Sequence, residues 1–318
     1  MQISDDKNTL EYEIFRLYSL AQDNLAMLSF LDAQKDIVVK HIDEKCGIFS
    51  FQGSEEHVFK YVVHPLSKLM LDTSLQSIAL RGLKNQMQVR DIPGVQRVLS
   101  RDFYYKIPGL LGPFVYLDGF NLSRPDPEFS NDPSFVKKHF EDLESTLKQV
   151  HERKILHCDV KPGNIVFSRG RLYLIDWSLA VNWHEHILDI QDNLVQGTVG
   201  FLYKGIDRSR DYFALGVSLA RVLIPGLPLR GIDVSQKESL DVDGFETDVG
   251  FRLRRRYGPE YRTYFYDLMH RAPEFDIAAV LSIEGIPLVR SIRAFQDMDT
   301  GHTMVLPSVH AENTYVSS

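Results

Sequence analysis

The chain has 318 residues, 44% of them hydrophobic and 25% charged, which supplies enough apolar surface for one large domain or two lobes. Its formal net charge of −7 gives no general attraction to nucleic acid or to an acidic membrane, so neither is an expected partner. Two cysteines, a polar and acidic start and the lack of a long apolar stretch argue against a disulfide framework, a signal peptide and membrane insertion, so we expect an intracellular protein, cytoplasmic or nuclear.

Apolar residues recur at three- and four-residue steps near the start of the chain, which predicts an amphipathic helix over 8–32. We assign residues 1–35 to this N-terminal extension. Its apolar stripe packs on the following domain or, as the alternative, binds a protein partner. Short β-branched and aromatic runs separated by turn residues then predict an antiparallel meander of three strands, Ile37 to Ile42, Ile48 to Phe51 and His57 to Val63.

A helical pattern over 67–90 and two further strands, near Val95 to Leu99 and Gly112 to Leu117, complete a small β-rich lobe that we place at 36–122. A loop rich in Pro, Asp, Ser and Asn, from Ser123 to Pro133, separates this lobe from the rest.

The second lobe, 123–297, is predicted to be mainly helical. It opens with a strong helix over 135–150, followed by a hairpin that turns on Arg169-Gly170. The last residues, 298–318, lack periodicity and are predicted to be a loose tail. The fold class is therefore α+β and bilobal, a plan that commonly places the ligand site in the cleft.

Four short motifs follow one another in the second lobe: Ile155 to Asn164 (ILHCDVKPGN), Leu174 to Ser178 (LIDWS), Gly197 to Phe201 (GTVGF) and Asp211 to Gly216 (DYFALG). In order and spacing they resemble the eukaryotic protein kinase family, matching its catalytic loop, its metal-binding Asp motif, the end of its activation segment and the start of its central buried helix. The resemblance implies a protein-kinase-like fold, ATP and Mg²⁺ as cofactors, and phosphoryl transfer from ATP to serine or threonine hydroxyls of a protein substrate.

The resemblance also assigns roles to individual side chains. Asp159 would accept or orient the proton of the substrate hydroxyl, and Lys161 would lie beside the transferring phosphoryl group, as in serine/threonine rather than tyrosine kinases. Asn164 and Asp176 would hold Mg²⁺.

In the small lobe the resemblance requires a lysine on the third strand to pair with the ATP phosphates. Lys60 follows two strands and a turn, whereas Lys40 follows only the N-terminal helix, so we choose Lys60. The other nucleotide contacts implied by this register are Gly47 in the phosphate-covering loop, Val58 over the adenine, Phe114 as gatekeeper, Leu117 in the hinge strand, Asn121 near the ribose and Val166 beneath the adenine.

Several departures from the family bear on activity. The phosphate-covering loop offers only Gly47 together with two acids, and no glutamate occurs between Glu56 and Glu128 to pair with Lys60. Neutral or shorter substitutes for that glutamate are Gln76, Gln86 and Asp72.

Cys158 stands where many kinases carry an arginine that receives an activation-loop phosphate, and no Ser, Thr or Tyr lies between Ser178 and Thr198. We therefore predict an activity that does not depend on phosphorylation of this segment. Two alternatives are a pseudokinase that acts as a binding or scaffold module and a kinase-fold enzyme acting on a small molecule. In a scaffold, the N-terminal helix or the arginine run over 252–256 would be the partner surface, although a solvated helix face also explains the run.

Overall fold

The structure is a computed structural model that describes residues 35, 37–42, 46–53, 55–62, 72–100, 110–182, 210–227, 242–272, 292–296 and 303–307. The chain divides into two compact units, Met1–Gly119 and Phe120–Ser318. The division therefore precedes the predicted boundary after residue 122. The predicted N-terminal helix, loop residues 43–45 and residues 183–209, which include the GTVGF motif, lie outside the described residues.

The first unit is built on an antiparallel sheet whose strands follow one another in chain order. The predicted meander is confirmed, with ends that differ from the expected ones by a residue or two. A helix precedes the last strand, so the elements are β1 (Ile37–Ile42), β2 (Cys46–Phe51), β3 (His57–Val62), α1 (Asp72–Val89) and β4 (Leu110–Val115).

The two faces of this sheet carry different apolar clusters because neighbouring strand residues point to opposite sides. On one face the rings of Phe49, Phe51 and Phe59 pack together, with ring centroids 5.7–5.9 Å apart. On the other, Val58 packs with Leu83 of α1 and with three further buried residues, Val98, Leu111 and Phe114.

The strand predicted near Val95 to Leu99 is not formed. A single bridge joins Val98 to Phe114, flanked by backbone hydrogen bonds from the Leu99 N–H to the Pro113 carbonyl and from the Val115 N–H to the Arg97 carbonyl, both 2.9 Å. The preceding turn, in which the Val95 N–H donates to the Ile92 carbonyl at 3.1 Å, holds the segment away from longer pairing. The segment therefore makes one bridge instead of a strand.

In its described residues the second unit combines helices with three small sheets, ordered β5-β7-β8, β6-β9 and β10-β11. Its elements are β5 (Gly119–Asn121), α2 (Pro127–Asn131), α3 (Pro133–Glu152), β6 (Ile155–Leu156), β7 (Ile165–Ser168), β8 (Arg171–Leu174), β9 (Val181–Asn182), α4 (Arg210–Leu223), α5 (Val242–Tyr257), α6 (Pro259–His270), β10 (Ile292–Gln296) and β11 (Thr303–Pro307).

The predicted strong helix is α3, and its start is fixed by Asp132. The carboxylate accepts hydrogen bonds from the backbone N–H groups of Ser134 and Phe135, each at 3.0 Å, while Pro133 occupies the first turn, where its missing N–H costs nothing. The Ser134 hydroxyl and these N–H groups lower the pKa of Asp132. α3 ends in front of β6 and so delivers the chain to the first motif.

The centre of the second unit is α4, which is buried over nearly its whole length. Both α3 and α6 pack against it. Neither α4 nor any other helix in the described ranges combines the length and the hydropathy needed to cross a membrane.

Two hairpins bear on the predictions for the second lobe. Strands β7 and β8 turn on Arg169 and Gly170, both with positive φ, as predicted for a two-residue turn. The chain is predicted to be mostly helical to about residue 295 and to be a loose tail over 298–318. The tail prediction is wrong in part, because Thr303–Pro307 forms a strand that pairs with Ile292–Gln296. Each is a short β-forming run, and turn-forming residues lie between them in the sequence.

Candidate active site

Three of the predicted site residues, Asp159, Lys161 and Asn164, are in contact. The Asp159 side chain, at which they meet, is 7% exposed and lies between β6 and β7. The Lys161 ammonium donates to Asp159 Oδ2 at 2.7 Å. The Asn164 side-chain amide donates both to that oxygen and to the Asp159 carbonyl, each at 2.9 Å. One carboxylate oxygen thus receives a cation and an amide, an arrangement that fixes the carboxylate and balances its charge.

The β7–β8 hairpin returns the chain to this group and positions Asp176. Ile165 pairs with Leu174, and the Ile175 N–H donates to the Asn164 carbonyl at 3.0 Å. Asp176 is therefore the residue after the backbone partner of Asn164. Its φ of 59° lies in the left-handed region, a conformation that costs about 1–3 kcal/mol for a non-glycine residue and that is often found at functional sites.

The His157 side chain connects the segment of Asp159 with the residues that follow β8. Its Nε2 donates to the Ile175 carbonyl at 3.1 Å, and its Nδ1 accepts from the Asp159 N–H at 3.3 Å. Burial lowers the pKa of His157, against the opposing effect of Asp211 and two other carboxylates, so the ring is neutral. The neutral ring with its proton on Nε2 satisfies both bonds, and its edge contacts Trp177 with ring centroids 4.6 Å apart.

Asp211, the first acid of α4, anchors the backbone in front of Asp159. Its carboxylate accepts from the N–H groups of His157 and Cys158 at 2.8 and 2.9 Å and from His151 Nε2 at 2.9 Å. Burial alone would raise the pKa of Asp211, but the hydrogen bond and charge of His151 and the contacts with His157 outweigh it and lower the pKa. The anchor holds Cys158 at a φ of 66°.

The anchoring roles of Asp211 and His151 were not predicted. In the sequence, the motif from Asp211 to Gly216 predicts only the start of a buried helix. The residues joined here are more than fifty positions apart in the chain, so local spacing carries no sign of their contact. A buried acid at the start of an otherwise apolar helix was the available signal, because a buried carboxylate requires several donors.

In the first unit the strand order distinguishes the two candidate lysines. Lys60 lies on β3, the third strand, opposite Ile48 and Leu111. Lys40 lies on β1, with its ammonium 3.9 Å from the Glu55 carboxylate and 4.8 Å from the centre of the Tyr116 ring. The third-strand position therefore belongs to Lys60.

The remaining predicted nucleotide contacts have defined places, and their roles stay predictions. Val58 belongs to the apolar cluster of the first unit, and the Asn121 side-chain oxygen accepts from the Ser123 N–H at 3.0 Å. Gly47 is a buried residue of β2, Leu117 is half-buried after β4, and Val166 is half-buried on β7 opposite Tyr173.

Gln86, one of the proposed substitutes for the missing glutamate, uses its amide in another contact. Its Nε2 donates to the Gln96 carbonyl at 2.9 Å, and the Gln96 side chain in turn donates to the Val115 carbonyl at 3.1 Å. Gln86 thus ties α1 to the segment that leads to β4. The side chains of Asp72 and Gln76 lie outside the described part.

Comparison with known sequences identifies the family of this segment. The family profile described as "Protein kinase domain" matches residues 121–279, which is half of the chain. The matched segment includes Asp159, Lys161, Asn164 and Asp176. Two curated relatives are described as "Serine/threonine-protein kinase MPS1". The one from Encephalitozoon cuniculi is 30% identical over 104 residues, and the one from Saccharomyces cerevisiae is 26% identical over 160 residues.

These alignments cover 30% and 48% of this chain but only 18% and 21% of the two relatives, so the chain matches about a fifth of their length. The profile match carries the assignment because it covers the segment in which the Asp159 group and the Asp176 hairpin are built. The chain belongs to the protein kinase family.

Proposed function

We propose that this chain transfers the γ-phosphoryl group of ATP to serine or threonine hydroxyls of protein substrates. The observation that carries the proposal is the convergence of Lys161 and Asn164 on the carboxylate of Asp159. A kinase needs a carboxylate held in place beside a cation, and this arrangement supplies both in one loop. The printed names of the two relatives support serine and threonine as the acceptors.

In the proposed reaction the substrate oxygen forms a bond to the γ-phosphorus while the bond from that phosphorus to the bridging oxygen of ADP breaks. The electron pair of the broken bond leaves with ADP, and the hydroxyl proton passes to Asp159. The Lys161 ammonium balances negative charge that develops on the transferring group. His157 and Asp211 touch no reactant and act by positioning the backbone that carries Asp159.

Two oxygen-bearing side chains fit the expected Mg²⁺. Asn164 uses its amide nitrogen toward Asp159, which leaves its amide oxygen for a cation, and Asp176 adds a carboxylate. Mg²⁺ prefers such oxygen ligands and commonly takes only one or two from the protein, with the others from phosphates and water. Accordingly, no cluster of three or more His, Cys, Asp or Glu side chains is required, and the described ranges contain none. When bound, the ion would neutralise phosphate charge.

We further propose that catalysis is independent of activation-loop phosphorylation. Cys158 is 3% exposed and is held by Asp211 through its backbone, so a neutral buried side chain stands where a phosphate-binding arginine would be needed. The sequence from 179 to 197 lacks a hydroxyl that could accept a phosphate. Phosphatase treatment should therefore leave the transfer rate unchanged, and a rate that required phosphate in this segment would refute the proposal.

The pseudokinase alternative is supported by the surroundings of the proposed nucleotide lysine. The sequence supplies no glutamate between 56 and 128, and Gln86 donates its amide to Gln96. Loss of the glutamate that the family resemblance implies would weaken the binding of ATP phosphates. In that case the chain would act by binding a partner, for which the N-terminal helix predicted over 8–32 is one candidate surface.

One experiment separates these functions. Purified chain is incubated with Mg·ATP and a panel of basic, acidic and apolar peptides that contain serine, threonine or tyrosine, with Asp159→Asn as control. We expect phosphate on serine or threonine, lost in the control. Thermal stabilisation by ATP without transfer would establish a pseudokinase, whereas neither effect would indicate a scaffold that binds no nucleotide.

A further inference from the structure

The α5 helix has one face that packs inside the second unit and one that does not. Val249, Gly250 and Leu253 are buried, and the Glu246 carbonyl accepts a hydrogen bond from the Tyr266 hydroxyl of α6 at 3.2 Å. On the opposite side Phe251 is 61% exposed, and among the described residues the other exposed large hydrophobic side chain is Phe135 at 37%. A single exposed apolar side chain is normal on a protein surface, so Phe251 indicates a binding surface only together with the groups around it.

Basic side chains surround that ring. Arg254 and Arg255 follow Phe251 at the three- and four-residue steps that bring helix residues side by side, and both are exposed. Arg252 is paired with Asp248, with nitrogen and oxygen 2.9 Å apart. Among the described residues no carboxylate pairs with Arg254 or Arg255. The helix dipole accounts for cations in a last turn, but it gives no reason for an exposed phenylalanine next to them.

The same surface continues onto α6 through a pocket of about 280 Å³ at the contact of the two helices. Arg254 lines it from α5, and Arg262 lines it from α6 with its guanidinium 5.3 Å from the centre of the Tyr266 ring. Pro259, Thr263 and one acid, Asp267, complete the lining. Glu260, the other nearby acid on α6, folds toward Gly258 instead of pairing with an arginine.

We propose that this α5–α6 surface, formed by Phe251, Arg254, Arg255, Arg262 and Tyr266, binds an acidic segment of a partner protein that carries an apolar side chain among its carboxylates. The arginines would receive the carboxylates, for which their planar donor groups are suited, and Phe251 would contact the apolar side chain. The proposal does not depend on the proposed phosphoryl transfer, because none of these residues belongs to the Asp159 group.

A short acidic segment fits better than a nucleic acid or an anionic membrane. Charges beyond about 8 Å are largely screened at physiological ionic strength, so a short peptide experiences mainly the local arginines. A long polyanion would extend over the rest of a chain whose net charge is −7, including Asp243 and Asp248 on the same helix. Local positive charge in an acidic protein therefore favours a small, local ligand.

Fluorescence anisotropy with the full chain tests this proposal. The probe is a short labelled peptide of Asp and Glu with one central Leu, compared with a second peptide in which Lys replaces every acid and with a third in which Ala replaces the Leu. We expect the acidic peptide to bind, the basic peptide not to bind, and the Ala peptide to bind more weakly. Raising the salt concentration from about 0.05 to 0.15 M should weaken binding.

Variants assign the binding to the surface. The double substitution Arg254→Ala and Arg255→Ala should weaken the binding of the acidic peptide by about tenfold. Phe251→Ala should abolish the difference in affinity between the acidic peptide that contains Leu and the one that contains Ala. The matched control removes two lysines from exposed positions of α3, Lys138→Ala with Lys148→Ala, and should leave affinity unchanged. Asp159→Asn should also bind normally, so that a failure of catalysis and a failure of this surface can be told apart.

Three results would overturn the proposal. The first is an equal loss of affinity for the acidic peptide in the lysine control variant, which would mean that the peptide is held by general electrostatic attraction. The second is unchanged affinity in both the arginine double variant and Phe251→Ala. The third is tighter binding to a homopolymeric RNA or to vesicles rich in phosphatidylserine than to the peptide, because the surface would then serve a different class of ligand.

Discussion

At the scale of single residues, the site depends on buried polar groups whose hydrogen bonds are nearly all accounted for. His157 bonds through both ring nitrogens, and Asp211 accepts three donors within 2.9 Å. Burial is unfavourable for each of these groups taken alone, and it becomes tolerable only because the partners are supplied together. Two backbone positions with positive φ, Cys158 and Asp176, lie within this network.

Replacing Asp211 by asparagine should therefore reduce both stability and activity. The amide offers one acceptor oxygen where three donors converge, and its NH₂ group would face an N–H group. We expect a loss of about 2–3 kcal/mol in the free energy of unfolding, measured with urea, together with a lower transfer rate. Asp243→Asn, an exposed acid on α5, is the control. Unchanged stability in Asp211→Asn would show that the anchor is not needed.

A second buried histidine gives a prediction about pH. His139 is 5% exposed and packs against Phe129, Phe135 and Phe167, with ring centroids 4.3–6.0 Å apart. Neither ring nitrogen has a hydrogen-bond partner among the described residues, and Asp142 lies 4.0 Å away. Burial lowers the pKa of His139, aided by Lys138 and Arg171 and opposed by Asp142.

Because the folded pKa is lowered, His139 is neutral in the folded state and takes up a proton on unfolding once the pH falls below about 6.5. Its contribution to stability is thus present above that pH and lost below it. His139→Phe should raise the free energy of unfolding by about 1–2 kcal/mol at pH 7.5 and reduce the loss between pH 7.5 and 5.5. The exposed His41→Gln is the control. An acid sensitivity equal to that of the wild type would contradict the assignment.

At the scale of elements, the second unit is arranged around α4, with α3 and α6 packed on it and α5 packed on α6. The α5–α6 contact is close because Gly250 faces the Tyr266 ring. A Cβ at position 250 would lie 2.8 Å from that ring, closer than side chains normally approach. The glycine thus sets the distance between the helices and, with it, the shape of the pocket beside Arg254 and Arg262.

Gly250→Ala should therefore destabilise the chain in spite of alanine's higher helix propensity. The Tyr266 ring would have to move, and its hydroxyl would lose the bond to the Glu246 carbonyl. We expect a loss of about 1–3 kcal/mol by urea unfolding. Thr247→Ala, at an exposed position of the same helix, should change stability little. A gain of about 1 kcal/mol in Gly250→Ala would mean that propensity outweighs packing and that the contact is looser than described.

At the scale of the whole molecule, the sequence predicted what is encoded locally. The meander, the α3 helix and the hairpin that carries Asp176 each have a short-range pattern or turn, and Asp159, Lys161 and Asn164, which are close in the chain, are hydrogen-bonded to one another. Contacts between distant residues leave no such local pattern. The Leu122 N–H, for example, donates to the Ile165 carbonyl at 3.0 Å, more than forty residues along the chain.

The two mistaken elements have the same origin. Residues 95–99 include three β-forming or apolar residues, yet only Val98 pairs with a strand, through a bridge to Phe114 of β4. The hairpin of β10 and β11 was overlooked because each run is short and shows its pairing only when the two are considered together. A three-residue strand such as β5 likewise has too few residues for any periodicity.

Asp159, Lys161, Asn164 and Asp176 are proposed to form one phosphoryl-transfer centre. The most direct test is the initial rate of transfer from γ-labelled ATP to a serine peptide, measured for Asp159→Asn, Lys161→Ala and Asp176→Asn, with the exposed Asp243→Asn as control. Each of the three should lower the rate by at least about 100-fold while the control keeps it. Transfer by Asp159→Asn at the rate of the wild type would contradict the claim.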